Sequence, residues 1–524
     1  MKLKIFMKRL LSCSCLFFFL FIFGTVEAST VFLESCETLS FDQNVRTDCQ
    51  FLRGKVRFRH GNLLLYCDSA FFYEKKNSID AYGNVKIVQA DSLTIYGSHL
   101  FYNGNTEVAQ MRKNVRMVNR KMTLTTNFLD YDKKNNVVHY YNSGKMVDKG
   151  DVLTSIEGNY YPKTKISTFQ KRVVLTNEKF TLKTDSLIYN SSTSYAQIVG
   201  PSTIISDSTT IYAESGWYNT KKETGKLTKK SYIKQPRGKK IVGDTIYYDK
   251  ARGIAEAFSH VLLTDSVQQI SVGGNYGKFN KKREKGFITR HATFYEHSSK
   301  DTLFLTADTI FYRTDSTISH INACHNVQFW QKDFQGLCDS LAYNTKDSIL
   351  NMYNSPIIWS DKNQITGKTI QVFSKNRGVE KFIVEDMGFM LSKEDTATYN
   401  QISGKMITGY VKNNHLYKID VVGNAQSIYY IKDNLKEVGT NKAESGFLTI
   451  YLNKKNKVEK IVMYPQSSGT MLPPTKKDKN LVTLKNMIDY EDLRPKDKED
   501  IYIKKSKIAF DKKLNPQKKK RKEK

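Results

Sequence analysis

Nine histidines are scattered along the 524 residues: His60, His99, His139, His260, His291, His297, His320, His325 and His415. No two of them have the spacing that puts metal ligands on one helix face, and no cysteine–histidine spacing resembles a zinc site. Aspartates do recur in a common setting. Asp68-Ser69-Ala70-Phe71-Phe72-Tyr73, Asp185-Ser186-Leu187-Ile188-Tyr189, Asp244-Thr245-Ile246-Tyr247-Tyr248, Asp308-Thr309-Ile310-Phe311-Tyr312 and Asp339-Ser340-Leu341-Ala342-Tyr343 are copies of one motif. An array of carboxylates is what general acid–base chemistry would use. Their place at the head of a strand-like segment reads instead as turn or edge hydrogen bonding, and Asp130 falls one slot out of phase. There is no complete Gly-x4-Gly-Lys-Ser/Thr phosphate loop and no nucleophile elbow, and no helical pattern follows Gly273-Gly274 and Gly277. The residue types therefore point to no catalytic residue, no metal and no cofactor.

What recurs most regularly is an aromatic residue: Phe41, Tyr73, Tyr102, Tyr131, Tyr161, Tyr189, Tyr218, Tyr248, Phe279, Tyr312, Tyr343 and Phe373, then less evenly Tyr410 and Tyr451. A fixed period of about thirty residues is the mark of a stacked, repetitive architecture. Such ladders serve core or cross-strand packing more often than ligand binding. Each unit has a second half such as Ala81-Tyr82-Gly83-Asn84-Val85-Lys86-Ile87-Val88. Its period-two alternation describes a half-buried strand. Asn103-Gly104-Asn105, Asp132-Lys133-Lys134-Asn135-Asn136 and Asn219-Thr220-Lys221-Lys222 are turn signals between strands. Only nine prolines interrupt the chain. The expected fold is all-β: strand–turn–strand units whose apolar faces are buried between two facing sheets, in a rolled barrel or in a stack.

Residues 1–28 read as a secretory signal, with Lys2, Lys4, Lys8 and Arg9 before an apolar run and Val26-Glu27-Ala28 at its end; an uncleaved N-terminal anchor is the alternative. The formal charge of +30 becomes +27 without that segment, which carries four basic residues and one acidic residue. A basic exported protein suits anionic partners such as phosphorylated glycolipid, anionic membrane or polysaccharide. The export signal and the lack of any nucleic-acid motif argue against nucleic acid. Beyond the signal, five cysteines remain: Cys36, Cys49, Cys67, Cys324 and Cys338. Cys36 and Cys67 occupy one repeat slot, which leaves open a disulfide between neighbouring strands or small buried side chains. Residues 466–524, from Pro473-Pro474 to a run of lysines, are expected to form a disordered basic tail, either solubilising or attached to anionic headgroups.

The ordered series Gly54-Lys55-Val56-Arg57-Phe58, Ala81-Tyr82-Gly83-Asn84-Val85-Lys86-Ile87 and Lys113-Asn114-Val115-Arg116-Met117-Val118, each beside an Asp-Ser-Leu-x-Tyr-type strand, resembles the OstA-like (organic solvent tolerance, LptA-type) family. The length and tyrosine content are similar to the long form of Bacteroidetes-type bacteria. The resemblance is strongest from residue 30 to about 265. It implies antiparallel β-jellyrolls, one over 29–235 and a more divergent one over 236–465, with no catalytic residues. It also implies a periplasmic, non-enzymatic bridge that carries lipopolysaccharide toward the outer membrane, holds lipid A acyl chains inside, and joins other jellyrolls, including the outer-membrane translocon, by edge-strand pairing. The groove lining would be Ala81, Val85, Ile87, Met111, Val115 and Met117. Lys86, Arg112, Lys113 and Arg116 would meet headgroup phosphates. The rival readings are a structural β-solenoid or envelope scaffold that carries no lipid, and an enzyme acting on envelope glycans.

Overall fold

The computed structural model describes residues 30–41, 48–89, 93–297, 301–315, 318–375, 378–395, 398–413, 415–433, 436–454, 457–474 and 481–514. The expected signal segment and the final lysine run lie outside these residues. The chain forms two compact units, up to Asn142 and from Ser143 onward.

In the first unit, β1 (Phe32–Ser35) and β2 (Thr38–Ser40) both pair with β3 (Gln50–His60). β4 (Leu63–Tyr73), β5 (Ser78–Gln89), β6 (Leu93–Asn103), β7 (Val108–Asn119) and β8 (Met122–Asp132) then follow as an antiparallel meander, each paired with the one before. Each ladder of the meander, from β3–β4 to β7–β8, breaks register at mid-strand. In β5, Gly83 and Asn84 intervene between Tyr82, which pairs with His99, and Val85, which pairs with Gly97. Only Ser98 opposes them, so the strand carries an extra residue, a β-bulge. The extra residues are left-handed: Gly83 has φ +73° and Asn84 +40°, and in β7 Lys113 and Asn114 have +62° and +52°.

The bulges line up from strand to strand and crease the sheet. Each strand thus contributes half its length to one wall and half to another. Phe58 and Phe72 lie on opposite halves, and their rings meet at 5.3 Å. A Cβ at Gly97 on one wall would come 2.5 Å from the Met111 sulfur on the other. We call wall A the half ending at the tips near Asn77, Asn103 and Asp132, and wall B the half ending near Gly61 and Arg120.

The recurring aspartates explain the crease. They stand in it, at mid-strand and not at a strand head. Asp68 Oδ2 accepts from Asn84 Nδ2 at 2.9 Å, and Asp308 Oδ2 accepts from Asn326 Nδ2 at 2.7 Å. Asp244 is bonded to His260 at 2.7 Å and Asp339 to His325 at 3.2 Å. These contacts hold a backbone bend that is costly for side-chain-bearing residues. At the far end of wall A, an Asn or Asp directly follows the recurring aromatic and closes the turn. Asn103 Oδ1 accepts from the backbone N–H of Asn105 and Thr106, and Asn219 does the same for Lys221 and Lys222.

The second unit repeats this plan from Ile166–Thr176 through Phe334–Asn344. Left-handed pairs at Lys171–Arg172, Lys229–Lys230, Ser259–His260, Arg290–His291 and His325–Asn326 mark alternate strands. Long strands at Gly378–Lys393, Tyr399–Lys412, His415–Asp433 and Lys436–Leu452 follow, and Val458–Tyr464 and Ser468–Leu472 both pair with the last of these.

Residues 481–514, expected within the disordered tail, are packed. Leu484, Tyr490, Leu493 and Ile501 are buried, and Lys507–Leu514 is an α-helix. Their apolar residues fit neither strand nor helix period because the segment crosses strands instead of joining them.

A Cβ at Gly83 would lie 2.5 Å from Asp68 Oδ2 at a positive φ. Gly83→Ala is therefore expected to cost roughly 1–3 kcal/mol in urea unfolding.

Candidate functional site

In the first unit the sequence-derived lining residues converge on the interior between the walls. Ala81 and Met111 face inward from wall A; Val85, Ile87, Val115 and Met117 do so from wall B. All six are at most 1% exposed. The inward row continues through Leu52, Ala70, Ile79, Leu100 and Leu129 on wall A and Val56, Leu65, Ile95 and Leu124 on wall B. This is a filled apolar layer, and the gap beside His60 and Tyr102 is too small for a water molecule.

Opposite the crease, the two walls meet at their rims, and this seam is polar. In the first unit His60 Nδ1 on wall B is 2.5 Å from the Tyr102 hydroxyl on wall A. In the second unit the contacts are denser. Asp151 Oδ2, on a wall-B tip, accepts from the Tyr189 hydroxyl at 2.9 Å and from Thr220 Oγ1 at 2.8 Å, both on wall A. Its other oxygen accepts from Asn177 at 2.9 Å. Lys149 Nζ donates to the Ser191 carbonyl, Lys250 Nζ to Ser206 Oγ, and the Tyr312 hydroxyl to Asp265 Oδ2 at 3.2 Å.

The recurring tyrosines are thus the last inward residues of wall A, greasy along the ring and polar at the tip. Burial pushes the Tyr189 and Tyr218 phenols up, and those of Tyr131 and Tyr248 to about 12, so they stay protonated donors at neutral pH. Several members of the aromatic series are displaced by one residue. Phe72 and Tyr160 take the inward slots, while Tyr73 is half-buried and Tyr161 points to solvent. Late in the series Val372 and Ile450 are buried, while Phe373 is half-buried and Tyr451 exposed.

The four cations named from the sequence do not gather at this seam. Lys86 and Arg116 stand on the outer face of wall B in a cross-strand ladder, Arg57–Tyr66–Lys86–Tyr96–Arg116, where each cation lies over a tyrosine ring. Arg112 is on the outer face of wall A, 2.7 Å from Asp130 and over the rings of Phe128 and Tyr141. Lys113 sits in the crease. Sequence reasoning missed the seam groups themselves. Their signal is the Tyr-Asx doublet at the end of wall A, paired with isolated polar residues such as Asp148 and Asp151 about half a period away.

Of the two cysteine readings, small buried side chains describe Cys49, Cys67 and Cys338, and all five cysteines beyond the signal are free thiols. Burial pushes the Cys67 thiol up to about 12, so it is inert at neutral pH. Among the described residues no group of three or more His, Cys, Asp or Glu side chains could hold a metal ion. No described helix is long and apolar enough to cross a membrane.

Residues 28–185 match the family described as OstA-like protein. No curated protein matches the chain. Among solved structures it is similar to LptH of Pseudomonas aeruginosa, described as the LptA-homologous periplasmic component of the lipopolysaccharide transport device. That likeness has 18% identity over 22% of this chain and 80% of that one, with a TM-score of 0.20.

Asp148, at the seam, is 2% exposed, and its Oδ2 has no partner. Burial raises its carboxyl above the ordinary range, with Lys149 opposing and Asp151 adding to the rise. A raised native pKa means the folded state disfavours the charged form, so this group lowers stability above that value and ceases to do so as pH falls through it. Asp148→Asn is expected to stabilise the chain by about 1 kcal/mol at pH 7. In thermal unfolding the advantage over the parent should shrink toward pH 4.

Proposed function

We propose that the chain is a non-catalytic periplasmic carrier of lipopolysaccharide, one component of a bridge toward the outer membrane. One observation carries this reading. The inward faces of successive strands form one apolar layer, and opposite the crease the walls are held together by polar side chains. Parting the walls along the seam costs hydrogen bonds that water can replace. The apolar layer so uncovered would gain about 0.8 kcal/mol per methylene of a bound acyl chain. The cationic outer faces and the charge of +30 suit a phosphorylated headgroup. The OstA-like match over 28–185 supports the same class.

The partners we infer are other jellyroll proteins of this transport type, including the outer-membrane translocon. They would be met by strand addition at unpaired edges such as those of β1 and Ser468–Leu472. The lysine run after residue 514 suits attachment to anionic headgroups.

A second reading, a structural envelope scaffold, is favoured by the interior being filled by the protein's own side chains. Native mass spectrometry of the mature chain, with lipid extraction, separates the two. A lipid A-bearing adduct at unit stoichiometry, accompanied by faster amide exchange at the tips around Asp148–Asp151 and Ser191, is the expected result. A bare protein mass at saturating lipopolysaccharide and low salt leaves the scaffold.

A further inference from the structure

Residues 481–503 cross the outer face of wall B, perpendicular to its strands and backward along the meander. The face beneath them is unlike the rest of the exterior. Elsewhere wall B shows residues such as Lys86 and Arg116 to solvent. Here it offers Leu337, Ile357 and Trp359 to Tyr490 and Leu493, and Phe389, Leu391, Ile428 and Tyr430 to Leu484. These strand residues alternate with inward ones such as Ile358, Ile365 and Met390, so both faces of the wall are apolar.

The main chain of the segment is held by glutamine side chains. Gln401 Nε2 donates to the Val482 carbonyl at 2.9 Å, and its Oε1 accepts the Leu484 N–H at 2.8 Å. Gln364 does the same six residues on, with the Ile488 carbonyl at 2.9 Å and the Tyr490 N–H at 2.7 Å. Gln335 Oε1 accepts from the Arg494 guanidinium at 2.8 and 3.0 Å. Gln328 Nε2 donates to the carbonyls of Ile501 and Ile503, and Thr306 Oγ1 donates to that of Ile501. Each carboxamide at Gln401 and Gln364 presents one donor and one acceptor, as a neighbouring strand would. The contact is therefore read through the backbone, with apolar anchors between the glutamines.

We propose that this face is a peptide-binding site for an extended chain, that residues 481–503 are its resident ligand, and that they exchange with the same segment of a second copy. Four buried glutamines on separate strands face this segment. Gln364 and Gln328 bond to it alone, while the Gln335 amide also holds the turn carbonyls of Gln331 and Lys332 and that of Gln401 the Tyr399 carbonyl. The site recognises a carbonyl and the N–H two residues later at six-residue intervals, with aliphatic or aromatic anchors such as Leu484, Ile488, Tyr490 and Leu493. The fit is incomplete, since Trp359 Nε1 and Gln328 Oε1 are buried without partners. In sequence the segment begins nine positions after Leu472, the end of the last strand, and none of its own residues belongs to a strand. Such an appended element is what copies exchange at low cost. This site is independent of lipid carriage.

The test uses the full chain with a protease site placed within residues 475–480. After cleavage, the released 481–524 fragment is followed by size exclusion, and a fluorescent peptide of residues 481–505 is added in excess. We expect the fragment to be replaced by the peptide while the far-ultraviolet strand signal is unchanged. The pair Gln364→Leu and Gln401→Leu should speed release at least tenfold. A peptide carrying Ser at 484, 488 and 493 should not compete. A fragment that stays bound through dilution and is never replaced overturns the proposal. So does release that abolishes the strand signal, since the segment would then be part of the fold and not a ligand.

Discussion

Everything in this protein depends on a backbone bend placed at the middle of its strands. Two consecutive left-handed residues on alternate strands, opposed by a single residue on the next, insert one extra position into each ladder. Without them a meander of this length would be an open twisted sheet with one face wet. With them the apolar face closes on itself, and a sheet becomes its own partner layer. The recurring aspartates are the side of this bargain visible in the sequence. Asp68, Asp244, Asp308 and Asp339 are each bonded to an Asn or His in the bend, so a strained conformation is held by carboxylate contacts instead of by glycine alone. Crease and seam then divide the labour. The crease fixes where the walls fold, and the tyrosine rims fix how far they close.

That division bears on function. A core welded by hydrophobic contact on every side would have no direction in which to open. Here one long boundary is covalent and bent, and the other is an array of hydroxyl, carboxylate and ammonium contacts. The polar boundary has the lower cost of opening in water, and it is the side that the proposed carriage of an apolar chain would use.

Much of this was legible in the sequence. The repeat, the all-β class, the inward alternation at Ala81, Val85 and Ile87, and the turns at Asn103 and Asn219 follow from residue pattern alone. The crease was not. Gly83-Asn84 looks like an ordinary pair of strand residues because the two together keep the alternation of inward residues on that strand intact, and the shift falls on the strand opposite, where Ser98 alone faces them. The cations were placed by type and not by partner. Nothing local indicates that Arg112 is engaged by Asp130, eighteen residues away on the next strand. The segment after residue 480 was misread because its lysines dominate the composition. Its anchors match acceptors and donors on strands more than eighty residues earlier, a correspondence no window of sequence contains.

The position of that segment in the chain has a consequence for timing. The meander is built from contacts between neighbours, so strands can form in the order in which the chain is delivered. The glutamines at 328, 335, 364 and 401 wait for a ligand that comes last, across separations of up to 175 residues. Their joint occupation needs the strands that carry them to be in register with one another. A chain stalled or slipped part-way would leave Trp359 and Leu391 bare, an apolar strip on the outside of the sheet until the last-made segment covers it.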